Sequence, residues 1–241
     1  MGTIVNILAI LIGSAIGVLL GNRLPEKMSR TLTDAMGLVV LVIGALNLAA
    51  LQDKDFSSAV GSAGTLLVVL GALLLGGVTG SLLQVEERLE QFGSWLQSKT
   101  RGKGDRKRFI DGFVNASLLF TIGPMAVLGA LQDGLGQGFD ILALKSTLDG
   151  FTSIAFAATM GWGVAFSAIP VGLWQGLLTV LAASVGAQMS AAVVASVTAT
   201  GGILLLGTGL RLLQIRMVSV ADLLPALLFA PLLTLSIASL S

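Results

Sequence analysis

The chain has 241 residues, of which 54% are hydrophobic and only 11% are charged, whereas a soluble domain usually carries about 25% charged residues. So few charges cannot cover the surface of a water-soluble protein of this length, but in a bilayer apolar side chains face outward. Histidine and cysteine are absent, which excludes cysteine nucleophiles, thiolate metal sites and histidine as a general base. The net charge is only +1. We therefore expect a multi-pass membrane protein that is not an enzyme, needs no cofactor or metal and binds no nucleic acid.

Long apolar stretches predict an all-α fold, a single polytopic transmembrane helical bundle of seven or eight spans over residues 1–241. Each stretch is long enough to cross about 30 Å of hydrocarbon. No Lys or Arg precedes the first stretch, so we read it as a retained helix rather than a signal peptide. The predicted spans cover residues 3–21, 33–51, 60–83, 109–131, 141–165, 169–186, 191–213 and 218–237. Two of the last three could merge, which would give seven.

Residues 84–108 form a predicted cytoplasmic loop with its own helical pattern. Val85, Leu89, Phe92 and Leu96 recur at helical spacing with charged residues between them, which indicates an amphipathic helix. This helix could lie at the membrane interface, or it could be an ordinary soluble helix between spans. The basic run 99–108 follows; it mainly sets the topology and could also contact anionic lipid head groups.

The distribution of Lys and Arg predicts the orientation. Cytoplasmic loops carry an excess of these residues. With eight spans and both termini outside, twelve of the fourteen Lys and Arg residues fall inside, and only Lys54 and Lys145 fall outside. We therefore expect the N-terminus to lie on the outer side.

Two segments that are 38 residues apart share the pattern K-x-x-x-D-G-F, one at residues 107–113 and the other at 145–151. The match continues in register, with a threonine and a glycine at the same later positions of both copies. Since the copies lie in adjacent spans, which run in opposite directions, they form an inverted repeat. Such repeats are common in secondary transporters, but channels and structural proteins also carry them.

The Lys and Asp of each copy are four residues apart and so share one helix face. An unpaired carboxylate at the depth of Asp149 would be costly in the membrane. One interpretation is a site for a coupling cation, a proton or the substrate, made by Asp111 and Asp149, with Lys107 and Lys145 holding them or gating access. The other is an ion pair that fixes the register of the two repeat helices.

Both copies also contain a predicted break. Pro124 after Gly123 interrupts the first copy, and Gly161 lies at the matching place in the second. Breaks at the midplane expose backbone groups that can bind an ion or a polar solute, although a proline kink with glycine packing would look the same. The neighbouring polar residues either line a path or bond between helices; they are Asn115, Thr121, Ser153 and Thr159. Asn6 and Asn47 are also deep, with no assigned role.

Glycine ridges on the first and third spans predict close helix packing. The ridges consist of Gly13, Gly17 and Gly21 on one span and Gly76 and Gly80 on the other. Such seams join helices within one chain or between chains, so a homo-oligomer formed through them stays open.

Several strings resemble the YdfK/YqgA family of bacterial inner-membrane proteins, a family of unknown function. The strings are Met1-Gly-Thr-Ile-Val-Asn-Ile, Gly21-Asn-Arg-Leu-Pro25, Ala116-Ser-Leu-Leu-Phe-Thr-Ile-Gly-Pro-Met-Ala126, Lys145-Ser-Thr-Leu-Asp-Gly-Phe-Thr-Ser-Ile-Ala-Phe156 and Val220-Ala-Asp-Leu-Leu-Pro-Ala226. The resemblance covers nearly the whole chain. It implies a location in the bacterial cytoplasmic membrane and a supposed transport role, without a mechanism or agreed site residues.

The sequence thus predicts a secondary transporter or channel for an ion or small polar solute, with its site where the two repeat spans cross. The alternative is a non-transporting structural or assembly protein of the membrane. No nucleotide-binding loop is found, so ATP-driven transport by this chain alone is not expected. The expected partners are the lipid bilayer and the transported solute. The predicted site residues are Asp111, Asp149, Lys107, Lys145, Asn115, Ser153, Thr121, Gly123, Thr159 and Gly161.

Overall fold

The computed structural model describes residues 1–21, 25–99, 105–185 and 190–239, and the regular elements within these ranges are helical. The helices are α1 (Gly2–Gly21), α2 (Glu26–Asn47), α3 (Lys54–Val60), α4 (Gly64–Leu82), α5 (Val85–Lys99), α6 (Arg106–Thr121), α7 (Pro124–Gly134), α8 (Asp140–Met160), α9 (Gly163–Phe166), α10 (Ala168–Val185), α11 (Ala191–Leu212), α12 (Val220–Leu223) and α13 (Ala226–Ala238). A short 3₁₀-helix, Leu48–Gln52, follows α2.

Seven helical segments of the described chain are long and apolar enough to cross a membrane. They are Gly2–Gly21, Lys27–Gln52, Gly64–Leu82, Asp140–Met160, Gly163–Ala183, Ala191–Leu212 and Val220–Ala238. This confirms the predicted all-α membrane fold. Helices α6 and α7 pass the same test only as a pair and are bent by 62° at the break between them, so they add an eighth span only if the pair crosses the membrane as one.

The chain divides into two compact units. Unit 1 contains residues 1–37, 89–121 and 125–188, and unit 2 contains residues 38–88, 122–124 and 189–241. Each unit collects helices from distant parts of the sequence.

In unit 1, α1 and α8 pack side by side and run in the same direction. A Cβ atom placed on Gly2 would contact Leu142 near the start of α8, and one on Gly21 would overlap the carbonyl oxygen of Ala158 near its end. Between these ends, Gly13 and Gly17 lie against the α8 backbone in the same way. Small residues permit such close approach without a hydrophobic driving force. This glycine ridge is therefore used within the chain.

The bent pair α6–α7 runs the full length of α1. At its start, Arg108 donates hydrogen bonds to the carbonyl oxygens of Thr159 and Ala158, at the level of Gly21. At its end, the Asp133 carboxylate accepts a hydrogen bond of 2.9 Å from the Gly2 amide. The pair thus traverses unit 1 from one end of α1 to the other, which supports an eighth crossing rather than a re-entrant loop.

In unit 2, α4 packs antiparallel to α12 and α13. Gly76 lies against the Ala226 backbone and Gly80 against that of Asp222, so the second glycine ridge is also used within the chain. Ala72 and Ala230 continue this seam as buried residues. A further apolar core joins α3, α4 and α11; it contains Phe56, Val68, Val69, Ala195 and Ala199.

The predicted fifth span, residues 141–165, ends earlier, at Met160. Gly161 has a φ of +76°, a conformation open mainly to glycine, and it ends α8 before a new helix starts at Gly163. The glycines of the second repeat copy therefore mark a junction between two spans instead of a midspan break. The inverted repeat itself stays a prediction, although α6 and α8 do run antiparallel, with Gly112 against Met160 and Phe120 against Phe156.

The predicted amphipathic segment is helix α5, which packs on α6 in unit 1. The rings of Phe92 and Phe113 meet edge to face, 5.9 Å apart, and Gly93 leaves room for the Phe113 ring. Part of the basic run after α5, residues 100–104, lies outside the described residues. Two further positions also lie outside them. One is Arg23, which is among the twelve basic residues expected on the inner side, and the other is residue 186 at the end of the predicted sixth span.

Candidate functional site

Helix α8 carries a buried ion pair in the middle of a candidate membrane span. The Lys145 ammonium and the Asp149 carboxylate are four residues apart on one face and bond to each other, and only 6% and 7% of these residues are exposed. Asp149 lies nine residues from the start of α8, or about 14 Å at 1.5 Å per residue. A charge at this depth is expensive unless it is paired, so each group requires the other.

Two amide side chains from other helices complete the arrangement. The Asn6 amide of α1 donates a hydrogen bond of 3.0 Å to Asp149 Oδ2 and another of 3.3 Å to Gln175 Oε1 of α10. Asn6 and Gln175 are fully buried. We call Asn6, Lys145, Asp149 and Gln175 the polar cluster. It joins three candidate spans of unit 1.

The local sequence explains why Asn6 reaches this position. The buried face of α1 contains Gly2, Asn6, Ile10, Gly13 and Gly17, spaced at three or four residues as one side of a helix requires. Because the glycines bring this face against α8, a side chain as short as asparagine spans the gap to Asp149. Helix packing, and not the ion pair alone, thus places the amide.

An aromatic ring lies beside the lysine end of the ion pair. Lys145 Nζ lies 5.9 Å from the centroid of the Phe120 ring, within the range of a cation–π interaction. Lysine and aspartate together are neutral, which lowers the cost of burial.

The hydrogen bonding of this region is incomplete. Within the described residues, several fully buried polar atoms have no hydrogen-bond partner, among them Asn6 Oδ1, Gln175 Nε2, Ser153 Oγ and Asn115 Oδ1. Most buried polar groups in folded proteins are paired with protein or water. Two of these atoms belong to the polar cluster itself, and Ser153 lies one turn beyond Asp149 on α8. These side chains can therefore form further hydrogen bonds beyond those described.

The sequence predicts that the two repeat copies meet in one site. The structure does not bring them together. Gly112 lies against Met160 at the end of α8, so the adjacent Asp111 is at that level too. Asp149 is eleven residues earlier, or about 16 Å along the helix. The carboxylates are separated because antiparallel helices place equivalent residues at opposite ends. Asp111 is half-buried and Lys107 is exposed, so the two copies also differ in environment.

The hydroxyl groups of the predicted polar path form hydrogen bonds within their own helices. Thr121 donates to the Ser117 carbonyl at 2.6 Å, and Thr159 donates to the Phe156 carbonyl at 3.1 Å, each within its own helix. Gly123 lies at the bend of the α6–α7 pair with a φ of +151°, whereas Gly161 lies at the end of α8. These residues lie at different levels along α6 and α8 and do not converge on the polar cluster.

Gln175 was missed by the sequence reasoning, and Asn6 was noticed without a role. The available signal was an uncharged amide inside an otherwise apolar span. That signal identifies a polar position but not its partner, because Asn6 and Gln175 are 169 residues apart.

Unit 2 holds a second buried ion pair, between Arg211 and Glu86. Glu86 Oε2 also accepts a hydrogen bond of 2.8 Å from the Ala221 amide, and the Glu86 amide donates one of 2.9 Å to Asp222. These bonds fasten the start of α5 to the end of α11 and the start of α12. Glu86 and Asp222 therefore have structural roles in unit 2. In the described part of the chain, no three acidic residues are placed to hold a metal ion.

Comparison with known proteins identifies the family but no activity. The family described as "Protein of unknown function (DUF554)" matches residues 1–235. The chain is 33% identical over 233 residues to "Uncharacterized protein YqgA" of Escherichia coli (strain K12), covering 95% of this chain and 94% of that protein. It is 29% identical over 231 residues to "Uncharacterized membrane protein YdfK" of Bacillus subtilis (strain 168), covering 95% and 93%. No solved structure matches. The chain thus belongs to the DUF554 family, which confirms the resemblance seen in its sequence.

Proposed function

We propose that the protein is a secondary transporter or channel for an ion or small polar solute, and that the polar cluster of unit 1 is its site. One observation carries the proposal: a charged pair lies buried within a candidate span, the Asn6 amide of a second span bonds to it, and the Gln175 amide of a third span bonds to Asn6. Charged residues inside membrane spans generally mark substrate, ion or proton pathways. Unpaired polar atoms on Asn6 and Gln175 add to this support.

The proposed setting is the cytoplasmic membrane of a bacterium, with the N-terminus outside. The solute and the bilayer lipids are the proposed partners, and no cofactor or catalytic step is required. The parallel packing of α1 and α8 supports the proposed number of crossings between them, because an odd number of crossings must separate two parallel spans. The spans α2 and α4 and the bent α6–α7 pair supply three. Both glycine ridges pack within the chain, so a homo-oligomer would form through other surfaces.

The test is flux in reconstituted vesicles. Purified protein is placed in liposomes, and K⁺, Na⁺ and H⁺ movement is followed with fluorescent indicators. Uptake of glycerol, urea and neutral amino acids is followed by osmotic swelling. We expect flux of one of these probes with the wild type and a loss of at least tenfold with Asp149→Asn, because the neutral side chain no longer holds the Lys145 ammonium.

Asp140→Asn is the matched control, since it makes the same change at an exposed position of the same helix. It should keep wild-type flux. Equal flux from the Asp149→Asn vesicles, with the protein still folded, would disprove the assignment of the site.

A non-transporting structural or assembly protein is the second candidate. It is favoured by the spacing of Lys145 and Asp149, since the two groups neutralise each other within one helix and need no solute. This alternative predicts no flux of any probe and an effect of Asp149→Asn on folding alone.

A further inference from the structure

We propose that helix α5 binds an anionic phospholipid of the surrounding bilayer through its exposed side chains Phe92, Trp95 and Lys99, which we call the α5 face. This surface is separate from the polar cluster, and the inference does not depend on a transport function.

The two aromatic side chains of the α5 face are exposed on a helix that does not itself cross the membrane. Trp95 is 53% exposed and Phe92 is 38% exposed, whereas Leu96 on the other side of the helix is buried. Exposed apolar side chains on a membrane span face lipid and need no further explanation. Helix α5 is not among the candidate spans of the described residues, so its exposed rings require a partner of their own.

The packing of α5 places these rings at the surface of the membrane. Helix α5 begins three residues after the candidate span α4 ends, and it packs on the start of α6, where Arg106 donates a hydrogen bond of 2.6 Å to Ser94 Oγ. The Phe92 ring contacts Phe113, which is seven residues into α6, or about 10 Å from Arg106 at 1.5 Å per residue. An interfacial helix inserts its apolar face about 5–10 Å into the boundary between head groups and acyl chains. Phe92 therefore lies at the depth of that boundary.

The arrangement of the three side chains matches the two parts of a phospholipid. The rings of Phe92 and Trp95 stack with their centroids 5.7 Å apart and 17° between their planes, which gives a flat apolar surface for an acyl chain. Lys99 Nζ lies 6.0 Å from the centroid of the Trp95 ring, so a positive charge stands directly beside that surface. Tryptophan is enriched at membrane interfaces, and lysine and arginine near the membrane attract anionic head groups.

The charges near the α5 face favour an anionic lipid over a zwitterionic one. Arg106 and Lys107 are exposed at the start of α6 and add to the charge of Lys99. The carboxylates nearby do not cancel them on this side. Glu90 is two residues from Phe92 and so lies on the opposite side of the helix, and Asp105 accepts a hydrogen bond from the Lys107 amide. A lipid with a net negative charge gains from all three cations, whereas a zwitterionic head group carries no net charge to attract.

The experiment measures the quenching of Trp95 fluorescence by brominated lipids. The chain has three tryptophans, so the double variant Trp162→Phe/Trp174→Phe leaves Trp95 alone. The full-length protein is reconstituted in vesicles of equal parts phosphatidylglycerol and phosphatidylcholine, with bromine on the acyl chains of one lipid or the other. Brominated phosphatidylglycerol should quench at least about twofold more strongly, because the basic side chains enrich the anionic lipid beside α5.

Lys99→Gln in the same background should make the two lipids quench about equally, since it removes the charge and keeps most of the side-chain length. Lys54→Gln is the matched control, because it removes an exposed lysine of another helix, and it should keep the preference. Should the double variant fail to fold, the quenching of Trp95 is obtained as the difference between the wild type and Trp95→Phe.

The proposal is overturned if the two lipids quench equally before Lys99 is changed, or if the preference persists in Lys99→Gln or is lost in the control. Absence of quenching by either lipid would overturn it as well, because water or another protein would then cover the α5 face. Since lipid contact is measured, absence of flux would refute the transport function without affecting this result.

Discussion

Asn6 is the residue that connects the three helices of the polar cluster. Its amide nitrogen has two hydrogens, and these bond to Asp149 of α8 and Gln175 of α10. A hydrogen bond to a charged group typically contributes about 1.5–3 kcal/mol, and a buried group that loses its partner costs a similar amount. Asn6 therefore stabilises both the carboxylate and the neighbouring amide.

We expect Asn6→Ala to destabilise the protein by about 1–3 kcal/mol, because it leaves Asp149 and Gln175 without this donor. The measurement is thermal unfolding of the purified protein in detergent. Asn47→Ala, which removes an asparagine of unit 2, is the control and should change the unfolding temperature far less. Equal effects of the two substitutions would show that the hydrogen bonds of Asn6 carry no special weight.

Single residues also show how far the sequence predicts the site. The four-residue spacing of Lys145 and Asp149 predicts their pairing, because both partners lie on one helix face. The partnership with Asn6 and Gln175 is not readable locally, since it depends on which helices pack together. For Asp111 the motif predicts a partnership that the structure does not form. The motif matches that of Asp149, but the antiparallel arrangement of α6 and α8 places Asp111 at the other end of unit 1.

At the scale of helices, the α1–α8 seam determines whether the polar cluster can form. A Cβ atom on Gly13 would overlap the Gly150 carbonyl oxygen, and one on Gly17 would meet the Ala157 side chain at 2.9 Å. The obstructing atoms at Gly13 belong to the Gly150 backbone, so they cannot turn aside as the end of a flexible side chain could. The seam fixes the distance that Asn6 must span.

Gly13→Ala should therefore separate α1 from α8 and cost about 1–3 kcal/mol of stability, as overpacking of a tight contact usually does. Gly176→Ala is the matched control, because nothing lies within 4 Å of a Cβ atom at that helical position. There alanine should be neutral or slightly stabilising, since it favours helix over glycine by up to about 1 kcal/mol. Unfolding temperatures compare the two, and a Gly13→Ala protein as stable as Gly176→Ala would contradict the tight seam.

Helix positions were more predictable than helix ends. The length of the apolar stretches locates the spans well, because crossing the bilayer requires a minimum apolar length that few other segments reach. The break at Gly161 was located but its role was misjudged, since a glycine can either kink a helix or end it. Its φ of +76° shows that it ends α8, and the local sequence pattern does not distinguish the two cases.

For the whole molecule, the course of the α6–α7 pair fixes the topology. If the bent pair crosses the membrane, α1 and α8 run parallel, as they do in unit 1. If it were re-entrant, the loop after α7 would return to the side on which α6 begins. The two cases differ in where Lys107 and Gln137 lie.

The absence of native cysteine makes this easy to test. We expect Gln137→Cys, in the exposed loop between α7 and α8, to react with an impermeant maleimide in intact cells, and Lys107→Cys to react only after the cells are opened. Equal labelling of both variants in intact cells, or of neither, would rule out the crossing.

A polar cluster that binds solute must be reachable from water, whereas a sealed structural contact is not. Ser153→Cys places a thiol of similar size one turn from Asp149, at a position that is fully buried in this structure. We expect a small hydrophilic thiol reagent to modify this cysteine in native membranes, and any solute occupying the site to slow the reaction. A cysteine at position 153 that stays unreactive, while Gln137→Cys is fully labelled under the same conditions, would contradict the claim.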